Sequence, residues 1–175
     1  MPRSKEVPRD PLSVALGMLA RRPYSVAELR RALERKFGAA EAVSKAIVRL
    51  RQLGYLDDKK FAEQVASSLA RNRAFGRYRI RRELKAKLVD YRHIEPALTH
   101  AFDETDERQL LERALAKKLR ALRLPLTPSK LSSLVHSLMR RGFRSDDIIK
   151  AVRARAELKP VTEDVDLAGL EQDQS

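Results

Sequence analysis

The sequence predicts an all-α protein built from three tandem three-helix, helix-turn-helix-like repeats, stacked as an elongated rod with room to curve. Three observations lead there. A self-comparison at a shift of 51 residues aligns Leu29, Ile80 and Leu131, then Leu33, Leu84 and Val135, then Phe37, Leu88 and Met139. The same shift aligns Ile47, Leu98 and Ile149, and Leu50, Ala101 and Val152. Apolar columns in register across three copies mark a repeated supersecondary unit. Within each copy the spacing is helical: Leu29, Leu33 and Phe37, like Ile80, Leu84 and Leu88, recur every fourth residue and form one core-facing stripe. Strand signals are absent, with no sustained alternation and no Asn-Gly or Asp-Gly hairpin turn.

The elements follow in order. Residues 1–10 hold two prolines and mixed charge and read as a flexible lead. The first repeat, 11–56, carries expected helices near 12–21, 25–36 and 40–53. Ser25-Val26-Ala27-Glu28 forms a capping box, in which the serine oxygen serves a backbone amide and the glutamate reaches back. Asp57 caps the helix opening the second repeat, 57–104, with helices near 58–74, 77–88 and 92–102. Gly76 breaks the first two of these. The third repeat, 105–158, has helices near 105–122, 128–140 and 146–157. Thr127-Pro128 gives a cap followed by proline at a position that needs no amide hydrogen. Gly54 and Gly142 suit helix ends. Units this small have marginal cores, so each is expected to pack on its neighbours. An acidic tail, 159–175, is expected to be disordered; from Val161 onward it holds five acids and no base.

Charge sets the functional frame. The 175 residues carry 37 Lys and Arg against 24 Asp and Glu, a formal charge of +13. Such a surface attracts a polyanion or an acidic protein groove. The densest run is Arg71 to Arg92, where Arg71, Arg73, Arg77, Arg79, Arg81, Arg82, Lys85, Lys87 and Arg92 face only Glu83 and Asp90. Arginine suits bidentate contact with phosphate or carboxylate. Zero cysteines exclude disulfides, thiolate metal sites and cysteine catalysis. No run approaches the ~18 apolar residues of a membrane span, and Met1-Pro2-Arg3-Ser4-Lys5 leads into no signal-type apolar core. The expectation is a soluble cytoplasmic monomer without membrane contact. The six glycines are scattered, with no phosphate-loop pattern. His93, His100 and His136 lack metal-ligand spacing and nucleophile partners, and Asp57-Asp58 has no further ligands at proper spacing. No catalytic residue, metal or cofactor is expected, and the chain reads as a non-enzyme.

Gly54-Tyr55-Leu56-Asp57-Asp58 followed by Phe61-Ala62 resembles the central signature of the RecX family of regulatory proteins. Ser25-Val26-Ala27-Glu28-Leu29 with Leu33, Gly76 with Arg79-Ile80 and Arg82-Glu83-Leu84, and Arg140-Arg141-Gly142-Phe143 stand in the corresponding places. The resemblance covers about residues 10–158. It implies three tandem three-helix repeats and a regulator, mostly an inhibitor, of the RecA recombinase. Such a protein binds RecA–DNA filaments and lowers DNA-dependent ATP hydrolysis, strand exchange and coprotease activity, in recombination, DNA repair and the SOS response. Some members also bind DNA directly. The sequence departs from the family where Phe37-Gly38 and Leu88-Val89 replace a Gly-Phe or Gly-Ile pair, which touches turn chemistry more than function.

The expected contact set for RecA or for single- or double-stranded DNA is Arg77, Arg79, Arg81, Arg82 and Lys85, extended by Arg71 and Arg73. Arg140, Arg141 and Arg144 form a second patch. Tyr78 can stack on a base or pack between helices, and the sequence favours packing. Tyr55 and Phe61 read as an aromatic hinge between the first two repeats. An alternative function is a basic helical DNA-binding protein or transcription factor acting without RecA. Against adenine readout, Gln52, Gln64, Asn72 and Gln109 share no recognition face. A third class, a hydrolase or nuclease, would need clustered carboxylates and a metal.

Overall fold

A computed structural model describes residues 10–39 and 41–158. The expected lead, apart from Asp10, and the acidic tail lie outside the described residues. The described residues form α1 (Pro11–Leu19), α2 (Val26–Phe37), α3 (Glu41–Gln52), α4 (Asp58–Arg73), α5 (Arg77–Ala86), α6 (Tyr91–Asp103), α7 (Glu107–Leu119), α8 (Pro128–Arg140) and α9 (Ser145–Arg153). A 3-10 turn, Ala156–Leu158, follows. Among the described residues there is no strand, and the helices fall into three successive triplets.

Helix starts are set by side-chain caps. Asp10, Asp57, Asp90, Asp106 and Thr127 each place a side-chain oxygen on a first-turn amide of α1, α4, α6, α7 and α8. The box at Ser25 is half formed. Its hydroxyl accepts from the Glu28 amide at 3.0 Å, but the Glu28 carboxylate turns outward to pair with Arg22 at 2.9 Å. That hydrogen bond pushes the Arg22 guanidinium above its ordinary pKa, and the same guanidinium lies 3.6 Å from the Tyr24 ring centroid.

Four of the five apolar columns line the core in all three triplets. Leu29, Ile80, Leu131, Leu33, Leu84 and Val135 are fully buried. The Phe37, Leu88 and Met139 column breaks. α5 stops at Ala86, and Leu88 takes a left-handed backbone with φ +58°, where a leucine costs roughly 1–2 kcal/mol. This turn throws Leu88 outward and Val89 inward, leaving Leu88 exposed and Val89 buried. The family resemblance places a glycine in this turn, and the backbone conformation supplies the reason.

The cores do not divide evenly. Ala15, Leu29, Leu33, Val43, Ile47, Leu50 and Leu56 form a small core for α1–α3. A second, continuous core runs from Phe61 to Leu158 and fuses the other two triplets. Polar ties join the small core to the large one. Asp58 Oδ1 accepts from the Val26 amide at 2.8 Å, and the buried Ser25 hydroxyl donates to the Lys87 carbonyl. Helix α2 is therefore capped in part by residues of the second triplet.

Candidate functional site: the α5 helix and its joint

Helix α5 opens on Gly76, which has no side chain with which to cap it. Its first amides are satisfied instead by the third triplet. The Gly76 amide donates to the Arg141 carbonyl at 2.8 Å, and the Tyr78 amide to the Gly142 carbonyl at 3.1 Å. Between them, the Arg77 amide donates to Glu107 Oε1, at the first residue of α7, at 2.8 Å. The two backbones cross in direct contact. A Cβ on Gly76 would overlap the Gly142 carbonyl oxygen and sit 2.7 Å from Phe143 N. A Cβ on Gly142, itself at φ +89°, would overlap the Arg79 amide nitrogen. Only glycine at both positions permits this approach.

This joint fixes the basic helix, and the expected contact residues then separate. Arg141 is built into the joint: Nε donates to the Ala74 carbonyl at 3.4 Å, Nη2 donates to the Arg73 carbonyl, and the guanidinium lies 5.7 Å from the Phe75 ring centroid. Arg77 pairs with Glu107 at 3.7 Å and lies 5.0 Å from the Phe102 ring centroid. Arg79 pairs with Glu83 at 2.7 Å, Arg71 with Glu104 at 2.9 Å, and Arg144 with Asp146 at 3.5 Å. Arg73, Arg82, Lys85 and Arg140 are exposed and form no ion pair among the described residues. The exposed pairs at Arg71 and Arg144 are weak in water and can exchange for a phosphate.

Arg81 is held from a neighbouring helix. Glu95 on α6 accepts from its Nε at 2.7 Å and from its Nη2 at 2.9 Å. These hydrogen bonds hold the Glu95 carboxyl below the usual carboxylate range and push the Arg81 guanidinium further up. Tyr78, Arg81, Arg82 and Lys85 recur at i, i+3, i+4 and i+7, so they share the outer face of α5 opposite Ile80 and Leu84. Tyr78 is 45% exposed rather than packed between helices.

The signature residues serve the first joint. Asp57 caps its own helix through the Lys60 amide at 3.1 Å, and Asp58 caps α2. Leu56 enters the small core and Phe61 the large one. Tyr55 is 58% exposed, so it fixes neither triplet against the other. Sequence reasoning missed Glu95, Glu107 and Tyr91, because their partners lie on other helices. Among the described residues no group of three or more histidines or carboxylates could hold a metal ion. No described helix is long and apolar enough to cross a membrane.

Comparison with known proteins agrees with this architecture. Residues 12–50 match the family described as RecX, first three-helix domain, and residues 57–98 match RecX, second three-helix domain. The chain is 36% identical to a Regulatory protein RecX of Chlorobaculum tepidum over 143 residues, covering 81% of this chain and 86% of the relative. It is 31% identical to a Regulatory protein RecX of Trichlorobacter lovleyi, covering 79% and 91%. Its fold is similar to the crystal structure of RecX from Lactobacillus salivarius, with a TM-score of 0.65 at 21% identity, covering 82% of this chain and 92% of that one. Repeat, signature, joint and relatives converge: the chain belongs to the RecX family of regulatory proteins.

Proposed function

We propose that this chain regulates the RecA recombinase by binding RecA–DNA filaments and lowering their ATP hydrolysis, strand exchange and coprotease activity. In this reading it acts in recombination, DNA repair and the SOS response. Family membership supports the regulatory role. The observation that carries the mode of action is the outer face of α5, where Arg82 and Lys85 stay exposed and free of ion pairs on a helix anchored at its start by the third triplet. A rigid helix presenting unpaired cations binds a polyanion at a small entropic cost, and its attraction falls with added salt. Arg73 and Arg140 extend the cationic surface, whereas Arg141 supports it from behind.

The test is RecA ATP hydrolysis on single-stranded DNA with substoichiometric amounts of this protein. The wild type is expected to inhibit. The Arg82→Ala/Lys85→Ala variant, which touches no described ion pair, is expected to stay folded and lose most of the inhibition. Equal inhibition by the two proteins would remove α5 from the mechanism, and no inhibition by wild type would sink the RecA reading. The reading as a transcription factor gains nothing from the geometry, since Asn72 donates to Ser68 on its own helix at 3.2 Å.

A further inference from the structure

We infer that the outer face of α5, together with the start of α6, is a stacking platform for the unpaired bases of single-stranded DNA. The chain has five phenylalanines, four tyrosines and no tryptophan. None of the phenylalanines is exposed, yet Tyr78 is 45% and Tyr91 64% exposed. The packing of α5 on α6 brings the Tyr78 ring and the helix that carries Tyr91 to one guanidinium, that of Arg81. Arg81 lies 5.6 Å from the Tyr78 ring centroid. Tyr91 stands one turn before Glu95, the carboxylate that clamps Arg81 in a two-point grip. The clamp makes Arg81 a positioning residue: its charge is matched by Glu95, and its guanidinium is held beside the Tyr78 ring. Asp90 caps α6 just before Tyr91, and the Gly142 carbonyl holds the Tyr78 amide, so both rings hang from anchored backbone.

An exposed aromatic ring beside uncommitted cations has the two parts that single-stranded nucleic acid requires. A base offers a π-face to the tyrosines, while Arg82 and Lys85 on the same face of α5 take the phosphates. A duplex fits this surface poorly, because its bases are already stacked and extruding one costs a few kcal/mol. The inference rests on reading α5 as the polyanion-binding helix. It does not require RecA, so its failure and the failure of the filament reading are separable.

The experiment uses the full chain and no RecA. Four fluorescein-labelled probes of equal length are titrated: a thymidine strand, an abasic strand, a duplex and a uridine strand. Without tryptophan, quenching of the intrinsic tyrosine emission reports stacking directly. The thymidine strand is expected to bind more tightly than the abasic strand and the duplex and to quench that emission. Replacing Tyr78→Ala and Tyr91→Ala together is expected to weaken thymidine-strand binding by roughly 5- to 150-fold for each stacked base lost. Binding of the abasic strand should not change, and Tyr78→Phe with Tyr91→Phe should restore thymidine-strand affinity. Wild-type protein that binds abasic and thymidine strands equally, or without quenching, overturns the proposal with no variant needed. So does an alanine pair that binds thymidine as tightly as wild type. A uridine strand that binds more tightly than thymidine would overturn the assignment to DNA.

Discussion

Replacing Gly76 by alanine should open the joint that fixes α5. The added methyl group would sit 2.7 Å from Phe143 N and overlap the Gly142 carbonyl, both backbone atoms that no rotamer change can move aside. Relief requires the two chains to separate, which breaks the Gly76 and Tyr78 hydrogen bonds to Arg141 and Gly142. Each is worth ~0.5–1.5 kcal/mol. The charge-assisted bond from the Arg77 amide to Glu107 adds about 1.5–3 kcal/mol if it goes too. A loss of about 3 kcal/mol is expected, and for a chain of this length it lowers Tm by roughly 6–12 °C. Thermal unfolding followed by far-ultraviolet circular dichroism measures it. Native-state amide exchange locates it, with protection lost at residues 77 and 78 and kept at Leu29 and Ile47 in the separate small core. A Gly76→Ala protein within about 0.5 kcal/mol of wild type would refute the reasoning, because the joint would then be soft.

Gly17 is the converse case, since it sits inside α1 and a Cβ added there would meet nothing within 4 Å. Gly17→Ala should stabilise the small core by about 0.8–1 kcal/mol through helix propensity, read as a rise in Tm of its unfolding. Asp58→Ala removes the cap from the Val26 amide and should cost about 1 kcal/mol. Amide exchange should then quicken in α2 while α7–α9 keep their protection. The Glu95 carboxyl is held below its ordinary pKa by Arg81. The stability it contributes is therefore present above the unfolded carboxylate pKa and lost as pH falls through the lower folded value. Urea melts from about pH 6 down to about pH 2 should show a smaller acid-side loss for Glu95→Gln than for wild type. An equal loss would mean the Arg81 pair is not stronger folded than unfolded.

The separate small core gives the two polar ties between triplets a larger role than their number implies. Ser25 and Asp58 couple α2 to the second triplet by hydrogen bonds, whereas the second and third triplets share buried apolar surface. The first triplet should therefore open locally at lower free energy than the fused body.

The sequence by itself determined the helices, their caps and most of the core, because these depend on neighbours three or four residues apart or on a repeat that can be counted. Asp57, Thr127, Ile80 and Leu84 needed no partner from elsewhere to be read correctly. The Leu88 column failed for a local reason: the left-handed turn reverses which of Leu88 and Val89 faces inward, and periodicity assumes that the helix continues. The candidate contact set was legible only as charge. The sequence cannot tell a guanidinium that supports the fold from one left open to a ligand, since that depends on which carboxylates and carbonyls arrive from other helices. Tertiary structure decided that Arg141 and Arg81 are committed, that Arg82 and Lys85 form no ion pair, and that the Arg81 guanidinium lies beside the Tyr78 ring. It decided these because the Gly76–Gly142 crossing and the α5–α6 packing bring together groups that are far apart along the chain.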